Sequence, residues 1–357
     1  MRDSCGISGT GETNQCRNAT SGLTARPAES EHPGTEINHS QKQQSLLKQP
    51  IEKGEDMKLG FLTNSLVHHG MDNMEDLVNW SVEQEFQALE VGPNIPFHSL
   101  EKVVSERKIE IAALTYCRNF LSEDEELAAL HQKELYNRVR MAGDLGIPVV
   151  VTSTGISASA KDDHYDGYDA IRSKPEHSLE KVVSLFHDVI ELAEEKNVKI
   201  AFENCPLMGN IAISPVLWGK LFERLDSPNA GLAYDPSHLI WQFIDPYLPI
   251  KEFGHKIFHV HAKDTEINHE QLKRAGTLTD FSWWRYRLPG LGDLNWTKFI
   301  SELTEIGYTG VMSVEHEDPV WGGDLAKTKQ GLIISKQYLE KTPGFPVEPR
   351  MRIRERK

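Results

Sequence analysis

The chain has 357 residues, of which 53 are acidic and 39 are basic, so its formal net charge at pH 7 is -14. This acidity argues against nucleic acid or an anionic membrane as a partner, because both bind basic surfaces. No segment reaches the roughly 20 apolar residues of a transmembrane helix, and the N-terminus lacks the pattern of a secretory leader. The cysteines at 5, 16, 117 and 205 fit no metal spacing or disulfide framework, so we expect a cytoplasmic protein.

The two ends of the chain differ in composition from its body. Residues 1–56 contain no Phe, Trp, Tyr or Val and cannot bury enough apolar surface to offset the entropy lost on ordering. We expect a disordered leader there, or a true translation start at Met57. Residues 341–357 are basic and interrupted by prolines, which is typical of a short tail. The sequence therefore predicts one folded domain over residues 57–340, and the acidity belongs to that domain.

Short apolar runs alternate along this domain with segments of helical period. Nearly continuous apolar runs are typical of parallel strands that are buried on both faces. Eight such strands alternating with helices predict an α/β fold, a single (β/α)8 TIM barrel. A doubly wound open sheet is the alternative, but no glycine-rich phosphate loop follows the first run. The predicted strands are Lys58–Thr63, Phe86–Val91, Ile109–Thr115, Pro148–Thr152, Lys199–Glu203, Ala230–Asp235, Lys256–Ala262 and Gly310–Glu315, and the clearest predicted helices are 73–84, 123–145, 179–193, 215–225, 296–306 and 325–339.

Four consecutive late runs end on side chains that can bind a metal ion. These residues are Glu203, Asp235, His261 and Glu315. The carboxyl ends of barrel strands meet at one mouth, where catalytic groups lie. One acid at such a position is usually a helix cap, but four buried acidic or imidazole groups need a counter-charge, which a divalent cation supplies. The donor set favours Mn²⁺, then Mg²⁺ or Co²⁺, and leaves Zn²⁺ open. His259 lies on the same side of its strand as His261 but deeper, which predicts a packed or hydrogen-bonded histidine.

The order of several short motifs resembles the xylose isomerase-like barrel superfamily, in particular its sugar phosphate isomerase/epimerase group. The motifs are AFENCP, LAYDPSH, FHVHAKD, RLPGLGDLNW and GVMSVEHED, and the resemblance covers most of 57–340. It implies that the four strand-end residues are the metal ligands. It also implies that Glu203 and Glu315 flank the substrate carbon as catalytic bases, and that His238 contacts a substrate oxygen.

The motif HVHAKD looks like that of inosose dehydratase-like members of the superfamily. This resemblance implies that Lys263 binds or protonates a substrate oxygen, with Asp264 beside it, whereas a solvated loop pair is the alternative. Two positions depart from the ketose 3-epimerase pattern. Gly209 and Ile267 stand where those enzymes carry a glutamate and an arginine that hold the substrate's terminal hydroxyls. These departures argue against simple ketohexose epimerisation.

Further candidates lie around the predicted mouth. The segment 263–295 after the seventh strand is long, and a loop of this length usually forms a lid or a binding site. Its residues 283–287 could stack on a sugar and hold an anionic group through Arg287, or they could pack onto the body. Glu90 ends the second strand and could reach a substrate hydroxyl or help to orient a ligand.

These features predict a divalent-metal-dependent isomerase or epimerase of a sugar or keto-polyol. The reaction would remove a proton next to a carbonyl and pass through a metal-stabilised enediolate. The alternative is a metal-dependent lyase of the inosose dehydratase type, or one that eliminates a glycosyl group from a 3-keto sugar. An endonuclease IV-like phosphodiesterase conflicts with the acidic body, while sugar binding without turnover stays open. Family members often associate, so a homo-oligomer is a further expectation.

Overall fold

A computed structural model describes residues 56–155, 178–207 and 210–346. The leader expected at 1–56 and most of the tail expected at 341–357 lie outside these residues. Within them, the last helix continues to Lys341, and Phe345 beyond it is buried against the core. None of the helices in the described ranges combines the length and the apolarity that spanning a bilayer requires.

Parallel strands form a closed barrel, which confirms the predicted fold. The described strands are β1 (Lys58–Leu62), β2 (Ala88–Val91), β3 (Glu110–Tyr116), β4 (Val149–Thr152), β5 (Lys199–Glu203), β6 (Ala230–Tyr234), β7 (Ile257–Ala262), β8 (Asp264–Ile267), β9 (Trp284–Arg287) and β10 (Val311–Val314). Around the barrel the strand order is β1-β10-β7-β6-β5-β4-β3-β2, whereas β8 and β9 form a separate ribbon. Each predicted barrel strand is present, with its ends shifted by two residues at most.

Alternation along the strands separates an apolar outer layer from the barrel interior. In β5, Ile200 and Phe202 belong to the large core between the barrel and the helices, whereas Ala201 belongs to a small cluster inside the barrel. Leu232 and Ala233 divide in the same way on β6. Because side chains alternate with a period of two, Glu203 at the end of β5 and Asp235 directly after β6 face the interior.

Helices cover the outside of the barrel. The side chains of Asn73, Asp124 and Asp324 accept backbone N–H groups in the first turns of three helices, which explains why these helices begin where the sequence predicts. Five of the described helices were not predicted, and the longest of them, at 97–106, begins after Pro96 without a side-chain cap. The described helices are α1 (Asn64–Val67), α2 (Met74–Glu83), α3 (Phe97–Glu106), α4 (Glu125–Leu145), α5 (Leu179–Glu195), α6 (Pro215–Leu225), α7 (Pro236–Ile240), α8 (Leu248–Phe253), α9 (His269–Ala275), α10 (Trp296–Glu305) and α11 (Leu325–Lys341).

The segment after β7 is a small ordered unit, which corrects the expectation of one long loop. Strands β8 and β9 pair antiparallel, from Asp264 opposite Arg287 to Ile267 opposite Trp284, and α9 lies between them in the chain. Trp284 stacks on Trp241 with ring centroids 4.7 Å apart. Trp283 is 1% exposed. These indole rings therefore attach the ribbon to the chain that follows α7 and do not offer free faces to a ligand.

Glycine is required where strands approach closely in the barrel. A Cβ atom on Gly231 of β6 would lie 2.3 Å from the carbonyl oxygen of Lys256 and 2.4 Å from the Phe258 ring. We expect Gly231→Ala to lower the free energy of unfolding by about 1–3 kcal/mol, because the backbone must shift to relieve the overlap. Urea unfolding measures this change.

Gly219 in α6 is the matched control, because a Cβ atom there meets nothing within 4 Å. Gly219→Ala should stabilise the protein by about 0.5–1 kcal/mol, since alanine loses less conformational entropy in a helix. Equal effects of the two substitutions would contradict the strand geometry.

Candidate functional site

The barrel brings the four predicted metal ligands to one place. Glu203 ends β5, while Asp235, His261 and Glu315 lie at the ends of β6, β7 and β10, and these four strands are neighbours in the barrel. One donor atom from each residue lies within 4.8 Å of those of the others. Three of the residues are buried, and Glu315 is partly buried. We call this set the carboxylate–histidine group.

His261 connects this group to the interior of the barrel. Its Nε2 lies 3.1 Å from both carboxylate oxygens of Glu90. Its Nδ1 lies 3.1 Å from Glu315 Oε2 and 3.5 Å from Glu203 Oε1, yet makes no hydrogen bond. Burial lowers the pKa of His261, but Glu90 and Glu315 outweigh it and raise the pKa well above its usual value. The surroundings of Nδ1 therefore favour a positive charge, which a proton or a metal ion supplies.

The donor atoms of the group fit a divalent cation. Asp235 Oδ2 and His261 Nδ1 are buried without a hydrogen bond, although buried polar atoms are normally paired. Three carboxylates and one imidazole form a hard to borderline donor set that suits Mn²⁺, Mg²⁺ or Co²⁺ and accepts Zn²⁺. The residues present are therefore able to hold such an ion.

Lys263 is a buried cation beside the group. Its Nζ lies 2.7 Å from Glu315 Oε2, 2.9 Å from Glu317 Oε2 and 3.2 Å from Asp235 Oδ2. Burial lowers the pKa of Lys263, but the surrounding carboxylates outweigh it, so that the pKa lies well above its usual value. The structure thus places Lys263 in the site as an ammonium group, next to two of the predicted ligands.

His238 also lies in the site, on the short helix α7. Its Nε2 is 3.2 Å from Asp235 Oδ2 and 3.5 Å from Glu203 Oε1. Its Nδ1 is 3.0 Å from the hydroxyl group of Tyr286 on β9. Burial lowers the pKa of His238, but Cys205 and Asp235 raise it well above its usual value. The ribbon therefore reaches the site through a hydrogen bond to this histidine.

Glu90 lies inside the barrel with both carboxylate oxygens in use. It is 0% exposed. It accepts a hydrogen bond from the Thr115 hydroxyl, and its Oε2 is 2.9 Å from His259 Nε2. His259 is the deeper, hydrogen-bonded histidine that the sequence predicts. Burial raises the pKa of Glu90, but His261 and His259 hold it well below its usual value. This placement leaves no free oxygen for a substrate hydroxyl.

Asp264 and Arg287 use their polar atoms to hold the ribbon. Asp264 accepts hydrogen bonds from the backbone N–H of Thr265, Gly290 and Leu294 and from the Trp296 indole. Arg287 donates to Glu266 and to Asp318. Both side chains are engaged in these contacts and neither belongs to the carboxylate–histidine group, so neither is assigned a substrate contact.

Cys117 is a site residue that the sequence did not predict. Its thiol donates to Glu203 Oε2 over 3.3 Å. Burial, with Glu203 adding to it, raises the pKa of this thiol well above its usual value, so the group stays protonated. Its spacing from the other cysteines carries no signal of a metal site or a disulfide. The useful signal is its position directly after β3, which is the strand-end position that the predicted ligands share.

Comparison with known proteins agrees with the observed fold. A family model for the xylose isomerase-like TIM barrel matches residues 65–338. Protein YfiH of Bacillus subtilis (strain 168) is 28% identical over 298 residues, which cover 73% of this chain and 93% of that protein. Inosose dehydratase of Clostridium tetani (strain Massachusetts / E88) is 25% identical over 268 residues, which cover 71% of this chain and 85% of that enzyme.

Solved structures share the fold at lower sequence identity. The crystal structure of an IolI protein with a binding zinc atom is 20% identical and matches with a TM-score of 0.60, covering 80% of this chain and 99% of that chain. Since the family model spans most of the described barrel, the chain belongs to the family of xylose isomerase-like TIM barrels.

Proposed function

We propose that this chain is a divalent-metal-dependent isomerase or epimerase of a sugar or keto-polyol, acting by removal of a proton next to a carbonyl. One observation carries the proposal. The carboxylates of Glu203 and Glu315 lie on either side of His261 Nδ1, at 3.5 Å and 3.1 Å, in a buried group that fits a cation.

Glu203, Asp235, His261 and Glu315 would hold the ion, for which we propose Mn²⁺. A divalent ion bound there would polarise the substrate carbonyl and the adjacent hydroxyl group. The IolI protein, which shares this fold and whose structure has a binding zinc atom, supports a divalent metal. The donor set of this chain, with three carboxylates, favours the harder ion.

The chain's own residues would move the proton. Glu203 and Glu315 come from β5 and β10, which are separated by β6 and β7 in the barrel. A substrate carbon bound between them has a carboxylate on each face, so one carboxylate can remove a proton and the other can return one. His238 would bind a substrate oxygen through Nε2, because its Nδ1 is already engaged by Tyr286.

Lys263 favours a second candidate, a lyase. In such a reaction a carboxylate removes the proton next to the carbonyl, a β-hydroxyl group leaves as water with a proton from the lysine ammonium, and a carbon–carbon double bond forms. Lys263 is a buried ammonium group 2.7 Å from Glu315 Oε2. The relatives named inosose dehydratase support the same outcome. Both candidate reactions share the first proton transfer, and they differ in whether a proton returns to carbon or a hydroxyl group leaves.

Glutamine variants test the two carboxylates. We expect Glu203→Gln and Glu315→Gln each to lower turnover about 10²–10⁴-fold, because glutamine keeps the shape of the side chain but cannot accept the proton. The substrate is first found by NMR in D₂O with Mn²⁺ and a panel of ketoses, keto-inositols and 3-keto-glycosides. Metal content is measured for each variant, and Glu223→Gln on the exposed face of α6 is the control. Full activity of both site variants would end the two-base assignment.

The same NMR experiment separates the two candidate functions. An isomerase or epimerase incorporates solvent deuterium without a new double bond, whereas a lyase produces an enone absorbance. If elimination occurs, Lys263→Met should slow it about 10²-fold or more while deuterium exchange continues, since the proton donor for the leaving group is lost. Lys251→Met, which breaks only surface ion pairs, is the control. Unchanged elimination in Lys263→Met would exclude the lysine as the acid.

Removal and return of metal tests the proposed ion. After dialysis against a chelator, Mn²⁺ at about 100 times its Kd should stabilise the protein by about 2.7 kcal/mol, measured as a rise in Tm. Asp235→Asn should lose most of this response, while Asp76→Asn on the exposed face of α2 should keep it. A wild-type protein whose Tm does not respond to Mn²⁺ or Zn²⁺ would refute the metal site.

A further inference from the structure

We propose that Glu90 is a positioning residue that fixes the tautomer and orientation of the His261 ring, so that Nδ1 presents its lone pair to the metal ion. This inference rests on the proposed metal site and goes beyond it, because Glu90 comes from a strand that supplies none of the four ligands. Glu90 lies on β2, whereas the ligands come from β5, β6, β7 and β10.

Three side chains hold the Glu90 carboxylate in place. The Thr115 hydroxyl on β3 donates to Oε1, His259 Nε2 lies 2.9 Å from Oε2, and His261 Nε2 lies 3.1 Å from both oxygens. Glu90, His259 and His261 are each no more than 1% exposed. A buried carboxylate with three such contacts is restricted to one orientation, and so is the imidazole ring that it contacts.

The orientation of the His261 ring determines which of its nitrogen atoms can bind the metal ion. A neutral imidazole carries one proton, and when a metal ion occupies one ring nitrogen the proton stays on the other, where a carboxylate can accept it in a hydrogen bond. With Nε2–H donating to Glu90, the lone pair is on Nδ1. That atom faces Glu203 and Glu315 and has no hydrogen bond of its own. In metal sites generally, such outer carboxylates raise the basicity of the ligand and strengthen metal binding 10–100-fold.

His259 completes the arrangement. Alternation along β7 places it on the same side of the strand as His261, with the two rings nearly perpendicular and their centroids 5.6 Å apart. Its contact with Oε2 keeps the Glu90 carboxylate from turning away from His261. A direct substrate contact does not explain this set of residues, because Glu90 is fully buried and its oxygens are already used.

Metal affinity of the full chain tests the inference without any assay of turnover. The affinities for Mn²⁺ and Zn²⁺ are measured by competition with a chromophoric chelator. We expect Glu90→Gln to weaken both about 10–100-fold relative to wild type. Glu110→Gln, which affects a partly exposed ion pair with Lys58 at the amino-terminal ends of β3 and β1, should change neither more than about twofold.

A spectroscopic measurement separates positioning from general destabilisation. In Zn²⁺-loaded protein labelled with ¹⁵N-histidine, the His261 ring should show the Nε2-protonated tautomer, identified by its absence in His261→Gln. In Glu90→Gln this signal should broaden or be joined by the other tautomer. A folded Glu90→Gln variant with wild-type affinity and an unchanged His261 signal would overturn the inference.

A second variant decides the question if Glu90→Gln does not fold. His259→Gln removes one of the groups that hold Glu90 and leaves every proposed ligand intact. A loss of metal affinity greater than about threefold supports the inference, and wild-type affinity overturns it. If wild type itself binds neither metal, the proposed metal site fails and this inference fails with it, whereas a normal wild type with unaffected variants refutes the role of Glu90 alone.

Discussion

The burial of several carboxylates near one end of the barrel requires positive charges or hydrogen-bond donors beside them, and this requirement explains much of the structure around the site. Glu90, Glu203 and Asp235 are each at most 6% exposed. An uncompensated buried charge costs several kcal/mol, so the interior must supply positive charge or hydrogen-bond donors beside each one. Lys263 and the buried histidines do this within the chain. Asp235 Oδ2 and His261 Nδ1 have oppositely charged neighbours but no hydrogen bond, so a bound cation could still interact with both atoms.

The barrel accommodates this charge by separating its two layers. Large apolar side chains such as Phe202 and Tyr234 face the helices and form the main core. The inward side chains just before the acidic strand ends are small, as at Ala201 and Ala233. Apolar burial and the polar site therefore occupy opposite faces of the same strands. Stability and chemistry do not compete for the same positions, which is a general property of this fold.

The ribbon formed by β8 and β9 is held to the barrel by a set of side-chain hydrogen bonds. The hydroxyl group of Tyr286 lies within hydrogen-bond distance of His238. Asp264 accepts a backbone hydrogen bond from Leu294 in the loop after β9, and Asp318 accepts a hydrogen bond from the Arg287 side chain. Ile267, at the position where ketose 3-epimerases carry an arginine, packs on the aromatic cluster of the ribbon instead of offering a polar group. The departure from the epimerase pattern is therefore part of how the ribbon folds, and it leaves Lys263 as the main cationic group beside the ligands.

The order of the barrel strands along the chain and the residues at their ends could be predicted from the sequence, because apolar runs and strand alternation are local properties. Glu203, Asp235, His261 and Glu315 were predicted to be neighbours on that basis. The contacts of individual side-chain atoms could not be predicted in this way. Glu90 contacts His259, which is 169 residues away in the chain. Asp264 accepts a hydrogen bond from the backbone of Leu294 and is not part of the carboxylate–histidine group. Such pairings depend on barrel closure and on side-chain direction, which no local pattern in the chain encodes.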